Sequence, residues 1–261
     1  MLEAGMRKTS SAKSLFYMFH SVGSGKNSIS SDYFEKFVRR ISEWASIVSV
    51  RQNLGIVSGS EAAPRPINIS ITFDDGYLDN YEAVLPMLSA MNIPFCVFVI
   101  PSLLGKKDTY GRRYMTGGMV REMARASVAT IGSHTMTHPD LTAISPEKVK
   151  IEIESSKKAL EDLTGFSIQF FAYPYSRATH YAVGLLKENN FAAAFCGERR
   201  TYGPGKAGNM YHLGRIGFSQ EHPRIDLALS SNVPLFRAGV AIKMVKGRFE
   251  SSRCGVRETE S

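Results

Sequence analysis

Ile67-Asn68-Ile69-Ser70-Ile71-Thr72-Phe73-Asp74-Asp75-Gly76 is the stretch on which the fold turns. Ile67, Ile69, Ile71 and Phe73 alternate with polar residues, which is the period of a strand. Two adjacent carboxylates end the run, and Gly76 turns the chain away. In parallel α/β architectures the carboxyl ends of strands face the ligand site. Two carboxylates there repel each other and are costly unless a cation or a proton sits between them. A plain surface turn is the competing reading, because Asp-Gly is a common turn pair. The strand leading into it favours a functional site.

Outward from this strand, segments of the two periods alternate. Leu15–His20 reads as a strand and Asp32–Ala45 as a helix, on the spacing of Phe34, Phe37, Val38, Ile41 and Trp44. Residues 47–50 read as another short strand, and the Gly, Ser, Ala and Pro content of Gly55–Pro66 predicts a loop. A helix follows over Tyr81–Met91. Pro94–Ile100 is an unbroken apolar run, as expected of a strand covered on both faces, and Val128–Ser133 is a further strand. Ser145-Pro146-Glu147 opens a helix with a cap residue, proline at the first helical position and an acid in the first turn. That helix runs to Thr164, where Gly165 ends it. Strands over Ile168–Tyr173, Ala192–Cys196 and Leu213–Phe218 and a helix over Ala178–Asn190 complete the series.

Such alternation predicts a parallel sheet with helices outside, and about seven units suit a barrel better than a small open sheet. A length of 261 residues fits one α/β barrel. The predicted organisation is an extension over 1–13, a catalytic domain over 14–225 and a basic tail over 226–261 with a disordered end. Composition is that of a globular protein, with 43% apolar and 21% charged residues, which excludes a disordered, collagen-like or coiled-coil chain. No uncharged apolar run approaches the roughly 18 residues of a membrane span. The basic start lacks the apolar core and cleavage site of a secretory signal, so a cytoplasmic location is expected. Cys96 and Cys196, in apolar runs, read as buried thiols.

The net charge of +8 favours anionic partners, or describes only a solvated surface. Basic pairs are scattered and no zinc-finger or aromatic RNA-binding signature appears, so no nucleic-acid partner is expected. Val233–Arg248 reads either as a helix packed on the barrel or as a basic amphipathic helix in peripheral contact with the inner face of a membrane.

Two further strand ends carry chemistry. Gly132-Ser133-His134-Thr135-Met136-Thr137-His138-Pro139 places two histidines four apart, a spacing that lets both meet one metal across a helical turn or tight loop. Thr135 and Thr137 are placed to supply hydrogen bonds that fix the imidazoles. A histidine pair alone is more often a polar loop. Together with a carboxylate it leaves open positions on a divalent ion, as activation of water requires. Phe171-Ala172-Tyr173-Pro174-Tyr175-Ser176 is a proline-fixed turn, and a backbone N–H exposed after it would suit an oxyanion. Aromatic packing is the default reading of that segment.

In order and spacing these three segments resemble the polysaccharide deacetylase family, carbohydrate esterase family 4, from about Leu15 to Phe218. The resemblance implies a distorted (β/α)7 barrel and a divalent metal, usually zinc, with cobalt, nickel or manganese as other candidates. It implies removal of an acyl group, normally acetyl, from an amino sugar in a glycan or a lipid-linked saccharide. By the same resemblance Asp75, His134 and His138 are metal ligands, Asp74 is the general base and the Tyr175 backbone N–H is the oxyanion donor. The chain departs from the best-known members in three places. Ala172 stands where an arginine is usual, Ser176 stands where a glycine is usual, and a late Leu-x-His motif is missing. A subgroup with the Phe-Ala-Tyr-Pro-Tyr form resembles it better. In that comparison His20 is the candidate general acid, with a capped core histidine as an equal reading. Arg215 is the candidate replacement for the missing arginine, and His180 and His212 read as surface residues. A sugar-binding relative without turnover, and a hydrolase of another C–N bond such as a formamide, are the alternatives.

Overall fold

The computed structural model describes residues 12–23, 28–206 and 208–218. The predicted extension, apart from its last two residues, and the predicted tail with its candidate membrane-facing helix lie outside the described residues. Six strands lie side by side with every neighbouring pair parallel: β1 (Lys13–Phe19), β2 (Ile67–Phe73), β3 (Phe95–Val99), β4 (Ala129–Ser133), β5 (Phe170–Ala172) and β6 (Ala193–Cys196). The seventh position is filled by one segment in two halves. β7 (Leu213–Gly214) pairs with β6, and β8 (Ile216–Gly217) pairs with β1. The predicted single strand over Leu213–Phe218 is therefore split at Arg215, and the split lets one short segment join both edges of the sheet. The result is the distorted (β/α)7 barrel expected from the sequence.

The period-two reading of β2 holds. Ile69, Ile71 and Phe73 join the outer apolar layer with Phe34, Phe37 and Ile41 of α1 (Ser31–Trp44). Ser70, Thr72 and Asp74 take the alternate positions. The interior is filled by a second cluster that includes Phe16, Cys96, Phe98, Phe170, Ala172 and Phe195. Val50, Leu54 and Val57 of α2 (Val50–Ser58) join it from below. Asn53 on α2 donates to the Leu15 carbonyl and the Ser70 hydroxyl, at 3.0 Å each, which seals the amino-terminal mouth.

α2 corrects the predicted loop over Gly55–Pro66. The Ser49 hydroxyl caps Gln52 N–H, and Gly59 ends the helix in the left-handed region at φ 84°. Ser60 and Glu61 then fold back to donate to the Gly55 carbonyl. The loop-like composition belongs to a capped helix end. The second predicted short strand shrinks to Ser46–Ile47 on β2. The helix predicted over Tyr81–Met91 is a π-turn, Asn80–Val84, running into α3 (Leu85–Ala90). Pro86 has no N–H to give the preceding turn, which accounts for the widened ladder just before it. α4 (Gly117–Met123) was not foreseen. α5 (Pro146–Thr164) ends at Gly165, φ 78°, as predicted, although the Ser145 hydroxyl makes no capping bond. α6 (His180–Glu188) precedes β6. No described helix is long and apolar enough to cross a membrane.

Gly214 sits where the barrel closes. A Cβ there would lie 2.2 Å from the Glu198 carbonyl oxygen, which is backbone and does not swing aside. Gly214→Ala is expected to lower stability by about 1–3 kcal/mol. Gly184, in α6 with open space around it, is the control: Gly184→Ala is expected to raise stability by about 0.5–1 kcal/mol. Paired urea titrations of the two variants measure both signs.

Candidate metal and catalytic centre

β2 and β4 deliver the three predicted metal ligands to one point above the barrel. Asp75 Oδ1 lies 3.6 Å from His134 Nε2 and 3.6 Å from His138 Nε2. The two imidazoles meet edge to face with centroids 4.7 Å apart. His134 Nδ1 lies 2.8 Å from the Ala172 carbonyl oxygen, which can only accept, so Nδ1 carries the proton and Nε2 presents its lone pair to the centre. Burial, with help from His134, lowers the His138 pKa to about 4, so this ring is neutral near pH 7. Two imidazoles and a carboxylate are the donor types a divalent ion of zinc's class takes, and three protein ligands leave it an open position.

The backbone is bent to make this convergence. Among the described residues seven non-glycines have positive φ, and Asp75, Thr135, His138, Tyr175 and Ser176 are five of them. Each such conformation costs on the order of 1–3 kcal/mol and persists only where the surroundings enforce it. The threonines act on the loop rather than on the imidazoles. Thr135 Oγ1 accepts from His138 N–H at 2.9 Å, and Thr137 donates its N–H and hydroxyl to Glu152 on α5. The predicted hydrogen bonds from these threonines to the rings are replaced by clamps on the backbone that carries them.

Asp74 is 3% exposed and is held by a two-pronged pair with Arg215, with Nη1 to Oδ1 and Nη2 to Oδ2 both at 2.7 Å. Arg215, itself 1% exposed, also donates to Thr72 Oγ1 at 3.1 Å. Its guanidinium lies over the Phe98 and Phe195 rings, with centroids 5.2 and 5.9 Å away. Burial pushes the Asp74 carboxyl up, but Arg215 outweighs it, aided by His134 and His20, and brings the pKa down to about 2. The sequence expectation that Arg215 reaches Asp74 is met at the split of the seventh strand.

His20 follows the end of β1, half-buried, and lies near enough to Asp74 and His138 to act electrostatically on both, which places it at the same mouth. Its carbonyl accepts from Asn80 Nδ2 at 3.1 Å. Tyr175 stands in the turn Pro174–Ser176 with φ 53° and its ring 4.9 Å from that of His138. Ser176 and Arg177 spend their N–H groups on Tyr173 and Pro174 carbonyls. Ser176, at φ 60° in a conformation glycine adopts without strain, accepts from Gly197 N–H at 2.6 Å. His180 is exposed as expected. His212 is not a surface residue; its side chain is 11% exposed.

Sequence reasoning missed an aromatic wall beside Asp75. Tyr77 stacks on Tyr114 at 4.9 Å, Arg112 lies 4.1 Å over the Tyr77 ring, and Arg112 is held by Asp108 at 2.7 Å. These residues come from separate loops, and nothing in their local spacing joins them.

Comparison with known proteins agrees with this geometry. A family model described as polysaccharide deacetylase matches residues 61–194. The chain is 25% identical over 212 residues to the Bacillus subtilis protein YxkH, which carries a provisional description as a polysaccharide deacetylase; the match spans 80% of this chain and 72% of that one. It is 29% identical over 121 residues to a chitooligosaccharide deacetylase of Bradyrhizobium, spanning 46% of this chain and about half, 48%, of the relative. In three dimensions it resembles IcaB from Ammonifex degensii with a TM-score of 0.74 at 22% identity, covering 84% of this chain and 96% of that one, a likeness of fold.

Proposed function

The chain belongs to the polysaccharide deacetylase family, and from that premise we propose that it removes an N-acetyl group from an amino sugar by metal-dependent hydrolysis. The observation that carries the reading is the meeting of Asp75, His134 and His138 beside a buried Asp74 that Arg215 keeps ionised. The chitooligosaccharide deacetylase among the relatives supports a saccharide substrate, either a glycan or a lipid-linked sugar. Arg215 on the split strand, together with Ala172, supports the Phe-Ala-Tyr-Pro-Tyr subgroup within the family.

Asp75, His134 and His138 would hold a divalent ion, with zinc favoured by the donor set, and that ion would supply Lewis-acid polarisation of water and acyl carbonyl. Asp74 accepts the proton of the attacking water. Arg215 fixes both Asp74 oxygens, so the base meets water in one orientation. The Tyr175 N–H donates to the oxyanion of the tetrahedral intermediate. An amide nitrogen departs only when protonated, and His20 supplies that proton.

The test is acetate release from N-acetylated amino-sugar oligomers and a lipid-linked saccharide, with zinc and again after chelation. Chelator-sensitive release is the expected result. No release with an ion bound at Asp75, His134 and His138 would point to another acyl group or C–N bond, and no release with no ion at these three residues would point to a sugar-binding relative. His20→Ala is expected to lower the amide rate by about 10²–10⁴. The same variant should lose far less on an activated acetate ester, whose leaving group needs no proton. Equal losses on both substrates would remove His20 from the acid role.

A further inference from the structure

A second group of donors lies outside this centre. Cys196 Sγ, one carboxylate oxygen of Glu198 and one ring nitrogen of His212 all lie within 4.8 Å of one another. Cys196 ends β6 on the outer side of the barrel, packed with the helix-facing layer. Residues 197–212 then connect β6 to β7 with no helix among the described residues, and His212 stands at the far end of that connection. The three donors thus pin the two ends of one long connection together.

The three donors already act on one another, and an ion would take the place of these weak contacts. Glu198 Oε1 is 3.7 Å from His212 Nε2, beyond a good hydrogen bond, while Oε2 pairs with Arg200 at 2.8 Å. Cys196 Sγ contacts the Leu213 carbonyl at 3.6 Å and also interacts with the His212 ring. His212 Nδ1 is buried with no hydrogen-bond partner, a costly state for a ring nitrogen unless something occupies it. A substrate has no route to Cys196, whose exposure is 0%, so a reactive thiol is not what the geometry serves.

We propose that Cys196, Glu198 and His212 form a second metal site, for a divalent ion of zinc's class, which fastens the 197–212 connection to the barrel. A sulfur, an imidazole and a carboxylate select such an ion over magnesium or calcium, which take oxygen ligands. Donors of a tetrahedral zinc stand about 3.3–3.8 Å apart, so the observed spread closes by small side-chain rotations. On binding, the thiol releases its proton to solvent. Thiolate and carboxylate then balance the two charges of the ion, with Arg200 at the edge.

Cobalt(II) loading of the full chain tests this separately from the deacetylase reading. The centre built on Asp75 contains no sulfur, so a near-ultraviolet thiolate-to-cobalt absorption that depends on Cys196, and not on Cys96 or Cys254, reports the second site. Two equivalents of cobalt and that absorption are expected. Cys196→Ser should lose the absorption and one equivalent, whereas Cys96→Ser should keep both. Glu198→Gln, which retains the thiol, should also lose one equivalent and serves if Cys196→Ser fails to fold. Wild-type protein that binds one equivalent without the absorption would overturn the proposal, as would an absorption that survives Cys196→Ser.

Discussion

Asp74→Asn should slow acetate release by about 10²–10⁴ while the bound metal stays at wild-type stoichiometry. Asparagine keeps the shape and one acceptor oxygen but cannot take a proton from water. Asp74 is not one of the three converging donors, so its loss leaves Asp75, His134 and His138 intact. The substitution has a second consequence. Arg215 is 1% exposed, and its only ion-pair partner among the described residues is Asp74. Breaking a buried pair from one side costs about 3–5 kcal/mol, because a charge is left without compensation. Rates therefore have to be read below the melting transition of the variant, with metal content measured on the same sample. A variant that is folded, metal-loaded and as fast as wild type would remove Asp74 from the role of base.

Arg215→Met approaches the same pair from the other side, and its largest expected effect is on stability. Met fills much of the volume under Phe98 and Phe195 but leaves the Asp74 carboxylate buried and unpaired. A loss of about 3–5 kcal/mol at pH 7 is expected. The pH dependence has a definite sign. In the wild type the folded pKa of Asp74, about 2, lies below its unfolded value of about 3.9. The pair's contribution is thus fully present above about pH 4 and is lost as pH falls through about 2. Without Arg215, burial acts with far less opposition and the carboxyl pKa rises. The penalty in the variant is then greatest at neutral pH and shrinks on acidification, as Asp74 takes up a proton. Denaturant melts at pH 7 and pH 4.5 check the direction, and a difference that grows toward acid would contradict it. The acid limb of the rate profile should also move to higher pH. Combining Arg215→Met with Asp74→Leu should recover stability relative to Arg215→Met alone, since removing both charges removes the desolvation cost.

What was legible in the sequence follows the reach of each signal. Period-two alternation over Ile67–Phe73 gave both the strand and the faces it shows, because one face meets the apolar helix layer while the other, equally buried, carries the polar Asn68, Ser70 and Thr72. The three site segments were legible as strand ends, since a parallel barrel collects such ends at one mouth. The helix at Val50–Ser58 was hidden because its capping residues, Ser49 and Gly59, are also loop residues, and Gly55 within it accommodates a fold-back from Glu61. The turn before Pro86 was hidden because a π-turn has nearly the apolar spacing of an α-helix. Tyr77 with Tyr114, and Cys196 with Glu198 and His212, were invisible for another reason. Their members meet through tertiary closure, and sequence distance carries no trace of it.

The strand split at Arg215 has a bearing on how the chain is made. Asp74 leaves the ribosome 141 residues before the cation it needs. Until that cation arrives, the emerging polypeptide holds a carboxyl group that burial would drive toward its protonated form, and β1 has no partner on its outer edge. The residue at which the cylinder closes and the residue that pairs with Asp74 are the same. On the proposed function, a translation product cut short of Arg215 is expected to be inert as well as open.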